Sequence, residues 1–539
     1  MTVGGMGINQ TPPLGTILDT SGDRAICRVD RAVLVGHRAQ NDPGHVASSS
    51  VGGLVKVRVG SNWLIATLTE LTASREDETR VIAAIEYIGE GPSGPDGTIT
   101  AFKRGLSAYP HPGDEVLFAA NEDLRQIFAP PDVPHIQLGV VYPTTDVPAP
   151  VLFDSLMGRH FAVVGSSGAG KSTTVRLILD RIIAQAPHGH VVILDPHGEY
   201  AHAFGSLAQV WDVGNLQIPY WAMNLDEHCE VFVGSEGDSC TIDTNIMAKC
   251  LLKARARNAF VQDLAKVTAD TPVSYRLTDL TDALEEEAGR LEKVADVHRY
   301  TQLRLTIEQF FADRRYRFIF DQALAGASLE NLLGDLLRIP IVDKPVSIID
   351  LAGVPTDVVN AVVSSLARLI LDYAIWAPRE QRAPILLVCE EAQRYLPRAP
   401  SRETNSVERQ LERIAREGRK YGVCLGMVTQ RPSELSETAL SQCGTIIAMR
   451  LNNQNDQAQL RASLTEGARG LVEVIGTLKN RECIISGDGV PVPMRVLVDL
   501  LEEEKRPASE DPVFSRLWSR ATADEALLSE TVRRWREER

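Results

Sequence analysis

One nine-residue stretch, GSSGAGKST from Gly165 to Thr173, constrains this chain more than any other. It fits G-x-x-x-x-G-K-[ST] and lies between an apolar run, FAVV (161–164), and an amphipathic stretch, VRLILDRIIAQA. Strand, glycine-rich loop and helix in that order make a phosphate-binding loop. The glycines let backbone N–H groups close around phosphate oxygens, and the helix N-terminus adds its positive dipole end. Gly165, Ser166, Gly168, Ala169, Gly170, Lys171, Ser172 and Thr173 are therefore the candidate ATP-binding residues. In such loops the lysine reaches the β- and γ-phosphates and the following hydroxyl ligates Mg²⁺, which assigns Lys171 and Ser172 and implies ATP and Mg²⁺ as cofactors.

The surroundings of the loop set the fold class. Five further strand-like runs follow FAVV: VVIL (191–194), VSII (346–349), ILLV (385–388), VCLGMV (423–428) and TIIAM (445–449). Helical stretches such as AVVSSLARLILDYAIWA lie between several of them. Fully apolar strands alternating with helices indicate an α/β fold with a parallel sheet covered on both faces. Nearly every run ends on a polar, charged or glycine residue: Gly165, Asp195, Asp350, Glu390, Thr429 with Gln430, and Arg450. Ligands of such sheets bind beyond the carboxyl ends of the strands, so this row is a single candidate site.

The remaining chain reads differently. From Leu14 to Phe128, short alternating runs (TILDT, AICRVD, LVKVRVG, WLIATLTEL, TRVIAAIEYIG, DEVLFAA) are separated by Gly, Pro, Asn and Ser clusters. That pattern predicts a small β-barrel or sandwich over residues 1–130. Residues 131–223 and 339–500 then form the nucleotide-binding core, beginning with a proline-rich linker and a strand, IQLGVVY. Between 224 and 338 the strand rhythm lapses into charged segments of helical period, a helical insertion. Residues 501–539 are an acidic-then-basic helical tail ending in TVRRWREER.

At 539 residues two or three domains are expected. No apolar run reaches membrane-spanning length, and MTVGGMGINQTPPLG lacks the basic-then-apolar pattern of a signal peptide. The expectation is a cytoplasmic protein with no membrane partner. Eight cysteines without a C-x-x-C pair argue against a zinc ribbon or a disulfide framework. A net charge of −15 argues against a surface coated for nucleic acid, while leaving room for a narrow basic channel.

In VCEEAQRYLP (388–397) two adjacent carboxylates, Glu390 and Glu391, end a strand. Beside a phosphate loop, Mg²⁺ needs oxygen ligands and hydrolysis needs a group to orient the attacking water. Adjacent residues leaving a strand point different ways, so one acid can face the metal and the next the water. Gln430 can sense the γ-phosphate or the water, or make only local hydrogen bonds. Arg450 can place a guanidinium at an active site, its own or a neighbour's, or form a surface ion pair. Arg416, Arg419 and Lys420 close a basic helix end, stabilising in any protein; with Arg431, the two arginines are also candidate interface residues. Asp195 and Glu199 of DPHGEY can hydrogen-bond the loop or metal waters, and capping or turn formation explains aspartates such as Asp195 and Asp350 almost as well. His197 and His160 lack metal spacing and read as hydrogen-bonding residues. Arg394, Arg398, Arg402 and Arg409 make an arginine-rich loop suited to tracking phosphates, with Arg398 and Arg402 the candidate DNA contacts.

GRHFAVVGSSGAGKST, ILDPHGEY, VSIIDLAG, LLVCEEAQRYLP and REGRKYGVCLGMVTQRPSEL, in that order, resemble the HerA family of the HerA/FtsK branch of RecA-like motor ATPases. The likeness spans about Ile136 to Val498, and the strand-rich N-terminal segment resembles the β-barrel that precedes the motor in that family. The resemblance implies a RecA-like P-loop NTPase core, a hexameric ring and ATP-driven translocation on double-stranded DNA. It places Glu390 on the metal side with Ser172, Glu391 as the catalytic base, Gln430 as the sensor and Arg450 as a finger acting in trans. The family often has histidine where this chain has Gln393, which leaves the role of that side chain open. It also implies a separate partner: a nuclease in DNA end processing, or a nuclease or sirtuin-like NAD-hydrolase in antiviral defence. The alternative is an ATP-binding scaffold that assembles and regulates such an effector without sustained translocation. A conjugation-type coupling ATPase is a third reading, against which the lack of a membrane segment counts.

Overall fold

The computed structural model describes residues 13–38, 49–74, 77, 79–142, 144, 146–233, 240–258, 263–291, 293–399, 405–464, 468–507, 514–519 and 525–538. Its first strands are β1 (Gly15–Thr20), β2 (Arg24–Asp30), β3 (Leu54–Val59), β4 (Asn62–Ala73), β5 (Arg80–Pro92), β6 (Lys103–Arg104) and β7 (Glu115–Phe118). They pair in the order β2-β1-β7-β3-β4-β5-β6, and β2 pairs again with β5, so the expected barrel closes. Alternation drives this: Ile17, Ala25, Cys27, Val29, Val55, Val57, Leu64, Ala66 and Leu68 point inward and are buried together. A buried ion pair, Lys56 to Asp123 at 2.7 Å, is satisfied further by the Gly97 carbonyl and by the backbone N–H groups of Ile99 and Ala120.

The later strands are β8 (His135–Val141), β9 (Pro148–Leu152), β10 (Phe161–Val164), β11 (His190–Asp195), β12 (Ala208–Trp211), β13 (Val346–Asp350), β14 (Ile385–Cys389), β15 (Val423–Thr429), β16 (Thr445–Met449), β17 (Glu482–Gly487) and β18 (Met494–Val498). All six apolar runs of the sequence are strands. By its internal contacts the chain forms two compact units, 1–189 with 378–399 and 412–502, and 190–377 with 400–411 and 503–539.

The first unit holds the barrel and strands in the order β14-β15-β10-β16-β17-β18-β8-β9. β14, β15, β10 and β16 run parallel, and the strands from β17 onward extend the sheet antiparallel. Arg104 of β6 donates to the carbonyls of Gly487, Val490 and Pro491, which ties the barrel to the β17–β18 turn.

The second unit holds β12-β13-β11, all parallel, and the helices Leu225–Phe232, Cys240–Ala256, Leu277–Ala288, Val294–Ala312, Leu329–Leu337 and Thr356–Trp376. Thr356–Trp376 corrects one expectation. It is long and apolar enough to cross a membrane, but most of it is buried inside the protein. Its apolar residues serve a core, where a helix hydrophobic all round also belongs. None of the described cysteines Cys27, Cys229, Cys250, Cys389, Cys424, Cys443 and Cys483 is in a disulfide.

Two buried polar side chains of the helical unit, His228 and Tyr275, are paired. His228 is fully buried, with Nδ1 2.7 Å from the Asn224 carbonyl and Nε2 2.8 Å from the Tyr275 hydroxyl. A carbonyl only accepts, so Nδ1 carries the proton and Nε2 accepts from the tyrosine. Burial, and then the nearby Arg255 charge, pull the imidazole down to about 3. The sign follows directly. In the unfolded chain a histidine takes up its proton near pH ~6.5, so this contribution is complete above that pH and is lost as the pH falls toward 3. The loss approaches about 1.4 kcal/mol per pH unit in that window. Urea titrations between pH 7 and pH 4 are expected to show a shallower acid loss in His228→Phe than in the wild type. Equal acid sensitivity in both would remove His228 from the account.

Candidate active site

The phosphate loop leaves β10, which lies between β15 and β16. Its first glycine has no room for a side chain: a Cβ on Gly165 would stand 2.8 Å from Met449 Cβ. Gly170 has φ 103°, a left-handed value that glycine adopts without strain, and it caps the helix Lys171–Gln185. The loop is tied to both neighbouring strand ends. Gly165 N–H donates to the Thr429 carbonyl at 3.2 Å, and Ser166 N–H to the Arg450 carbonyl at 2.8 Å. Asn452 N–H reaches Ser166 Oγ at 3.2 Å, and Lys171 Nζ lies 3.5 Å from the Ser166 carbonyl. Lys171 is thus folded back over its own loop and buried, its cation held where phosphate oxygens bind in such loops.

Glu390 and Glu391 follow β14, and both are buried, at 3% and 8% exposure. Glu391 has φ 51° and ψ 46°, a left-handed backbone that is rare for a residue with a side chain. Such strain persists where the surroundings hold it and gathers at functional sites. Here the hold is visible. Glu391 Oε2 accepts from Gln430 Nε2 at 3.2 Å and from Gln393 Nε2. Gln393 Oε1 accepts from Thr429 Oγ1 at 2.7 Å, and Thr429 Oγ1 accepts from Arg431 N–H at 3.0 Å. The structure therefore brings together the loop, Glu391, Gln430 and the backbone of Arg450. It adds two groups that sequence reasoning did not place: Thr429, seen only as a strand end, and Gln393, whose role was left open.

The arginines are arranged differently. Arg450 is half-buried, and its Nε has no hydrogen-bond partner among the described residues. Arg416 pairs with Glu412 at 2.8 Å on the helix Asn405–Tyr421. Arg416, Arg419 and Lys420 precede Val423, the start of β15, whereas the phosphate loop lies at the other end of the parallel strands. They therefore sit at the sheet edge away from their own loop. Arg431 is exposed directly after Gln430. Arg398 pairs with Glu437, and its N–H bonds the Glu434 carbonyl at 2.7 Å. Arg402 lies outside the described residues. Arg409 pairs with Asp226 at 3.0 Å.

In the second unit, Asp195 is a turn residue. Its carboxylate accepts from the N–H groups of His197 at 3.2 Å, Gly198 at 2.9 Å and Tyr200 at 2.9 Å. Burial raises its pKa against these bonds. Asp350 similarly accepts from Ala352 N–H at 2.9 Å. In the first unit, His160 is a buried hydrogen-bonding residue, its Nδ1 accepting from Leu425 N–H at 2.9 Å, with its pKa lowered by burial.

The family model "Helicase HerA, central domain" matches residues 136–370, the span that carries the phosphate loop. Over this span the chain is similar to the HerA helicases. The DNA double-strand break repair helicase HerA of Pyrococcus furiosus is 26% identical over 486 residues, covering 83% of this chain and 82% of its own. The HerA of Sulfurisphaera tokodaii is 28% identical over 424 residues, covering 76% and 78% respectively. Among solved structures, VirB4 of Thermoanaerobacter pseudethanolicus is 15% identical, covering 68% of this chain and 97% of its own, with a TM-score of 0.47.

Proposed function

We propose that this chain is a HerA-family, ATP-hydrolysing DNA translocase that works as a homo-oligomeric ring, a hexamer, on double-stranded DNA. The observation that carries the reading is the contact of Gln430 with Glu391 beside the phosphate loop. A side chain placed to sense the γ-phosphate holds the carboxylate placed to aim the water. In this mechanism Lys171 and the loop N–H groups hold the β- and γ-phosphates. Glu391 accepts a hydrogen bond from the attacking water and orients it in line with the γ-phosphorus. Gln430 keeps that carboxylate in place and registers the phosphate. Ser172 and Glu390 offer a hydroxyl and a carboxylate, the hard oxygen donors Mg²⁺ takes, and would hold the ion. When bound, Mg²⁺ supplies charge neutralisation on the phosphate oxygens.

Arg416 and Arg419, away from their own loop, serve a neighbouring subunit's nucleotide, with Arg431 and Arg450 nearer the site of their own chain. Arginines supplied across an interface are a large part of such catalysis. Arg398 and Arg402 belong to the segment that tracks DNA phosphates. A separate effector protein, a nuclease or an NAD-hydrolase, works with the ring, and the setting is cytoplasmic.

The test is steady-state ATP turnover with and without linear duplex DNA. Several-fold stimulation by duplex alone is expected. Lys171→Ala is expected to lose nucleotide binding and with it all turnover. Turnover indifferent to duplex, and raised only by an added partner protein, would replace the motor with an ATP-regulated scaffold.

A further inference from the structure

We propose that Gln393 and Thr429 form a positioning pair that sets the Glu391 carboxylate for hydrolysis; this rests on reading Glu391 as the base. The hydrogen-bond directions in this group are fixed by elimination. A carboxylate only accepts, so Gln393 presents its NH₂ to Glu391 Oε2 and turns its Oε1 toward Thr429. The Thr429 hydroxyl therefore donates to Gln393 Oε1 at 2.7 Å, and it accepts from Arg431 N–H at 3.0 Å. The amide of Gln430 addresses the same oxygen at 3.2 Å, which leaves Oε1 as the oxygen that faces the water.

Register explains why these two residues meet. β14 and β15 are parallel with Cys389 opposite Met427, so the turn that follows Cys389 emerges beside the end of β15, where Thr429 lies. Thr429 is fully buried and connects the loop with the base. Its carbonyl accepts from Gly165 N–H at 3.2 Å, and its hydroxyl reaches the base through Gln393. One residue thus references the carboxylate to the first glycine of the phosphate loop. An amide is what position 393 needs, because its two partners require one acceptor and one donor. A carboxylate there would lack the donor and set a second negative charge against Glu391.

The pair is tested by ATP turnover, nucleotide binding and thermal melting of the full-length protein. Gln393→Ala and Thr429→Val are each expected to lower kcat by up to roughly 100-fold with KM for ATP unchanged, the effect of a misaimed reacting group. Their double variant is expected to be no worse than either single one, because the two act through one chain of bonds. Thr429→Ser, which keeps the hydroxyl, is expected to rescue what Thr429→Val loses. Unchanged kcat in Gln393→Ala and Thr429→Val, or losses that simply add and track lowered melting temperature, would overturn the pair. Glu391→Gln separates this from the reading beneath it. If that variant turns over ATP normally, the base assignment itself fails. If it is inactive while the pair variants are normal, only the positioning proposal fails.

Discussion

Glu391→Gln is expected to lower ATP turnover by roughly 10²- to 10⁴-fold, the range for losing a positioned general base, while ATP binding is retained. The amide is nearly the same shape as the carboxylate, so the phosphate loop, Lys171 and Ser172 remain as they are. What disappears is the acceptor for the water proton. The local hydrogen bonding also changes in a defined way. Oε2 takes N–H donors from Gln393 and Gln430, and a glutamine oxygen in its place can still accept both. The left-handed turn at residue 391 should therefore survive, and the defect should lie in kcat. Phosphate release measured beside binding of a fluorescent ATP analogue separates the two. Turnover near wild type would remove Glu391 from the mechanism.

The largest stability effect is expected at Arg368. Glu227 is fully buried, and its carboxylate accepts from Arg368 Nε at 3.0 Å and Nη2 at 2.9 Å, Ser364 Oγ at 3.2 Å, Ser365 Oγ at 2.8 Å and Asn224 N–H at 2.9 Å. Arg368 also donates to the Ala222 carbonyl at 2.6 Å. These bonds fasten the helix Leu225–Phe232 to Thr356–Trp376 within one unit. Arg368→Ala strands a buried carboxylate and is expected to cost about 3–5 kcal/mol. Replacing both charges, Glu227→Leu with Arg368→Met, is expected to recover most of that, because apolar residues of similar volume incur no desolvation of ions. Denaturant unfolding followed by tryptophan fluorescence reads both variants. A loss below about 1 kcal/mol in Arg368→Ala would mean that water reaches Glu227.

Much of this was legible in the sequence, for local reasons. FAVV followed by GSSGAGKST gives strand, loop and helix from neighbouring residues alone. Fully apolar runs announce strands buried on both faces, and all six are strands. Alternation in TILDT to DEVLFAA gives half-buried strands, although closure between β2 and β5 depends on a pairing that no local pattern encodes. ECIISG and MRVLV, the antiparallel strands beyond the last motif, and the short AQVW strand are too brief to stand out from apolar loops. AVVSSLARLILDYAIWA reads as a helix, but Asp357, Arg368 and Asp372 hide that Thr356–Trp376 is apolar over a membrane-spanning length, and one of those charges is buried against Glu227.

The active site divides in the same way. Lys171, Glu390, Glu391 and Gln430 were legible as candidates from sequence position, Lys171 at the start of the helix after the phosphate loop and the others just past strand ends. The pairing of Gln393 with Thr429 was not, because the contact spans 36 residues and exists only in the β14–β15 register. The buried partnership of Glu227 with Arg368 lies 141 residues apart and was equally out of reach. Arg416 and Arg419 were visible as a basic helix end, but their distance from their own loop is a property of the sheet.

The central claim, that ATP hydrolysis here moves the protein along DNA, is tested most directly by displacement of a bound roadblock from the end of a linear duplex. The prediction is displacement by the wild-type protein with ATP, and none by Glu391→Gln at concentrations where both bind the duplex. A wild type that hydrolyses ATP on DNA yet leaves the roadblock in place would contradict it.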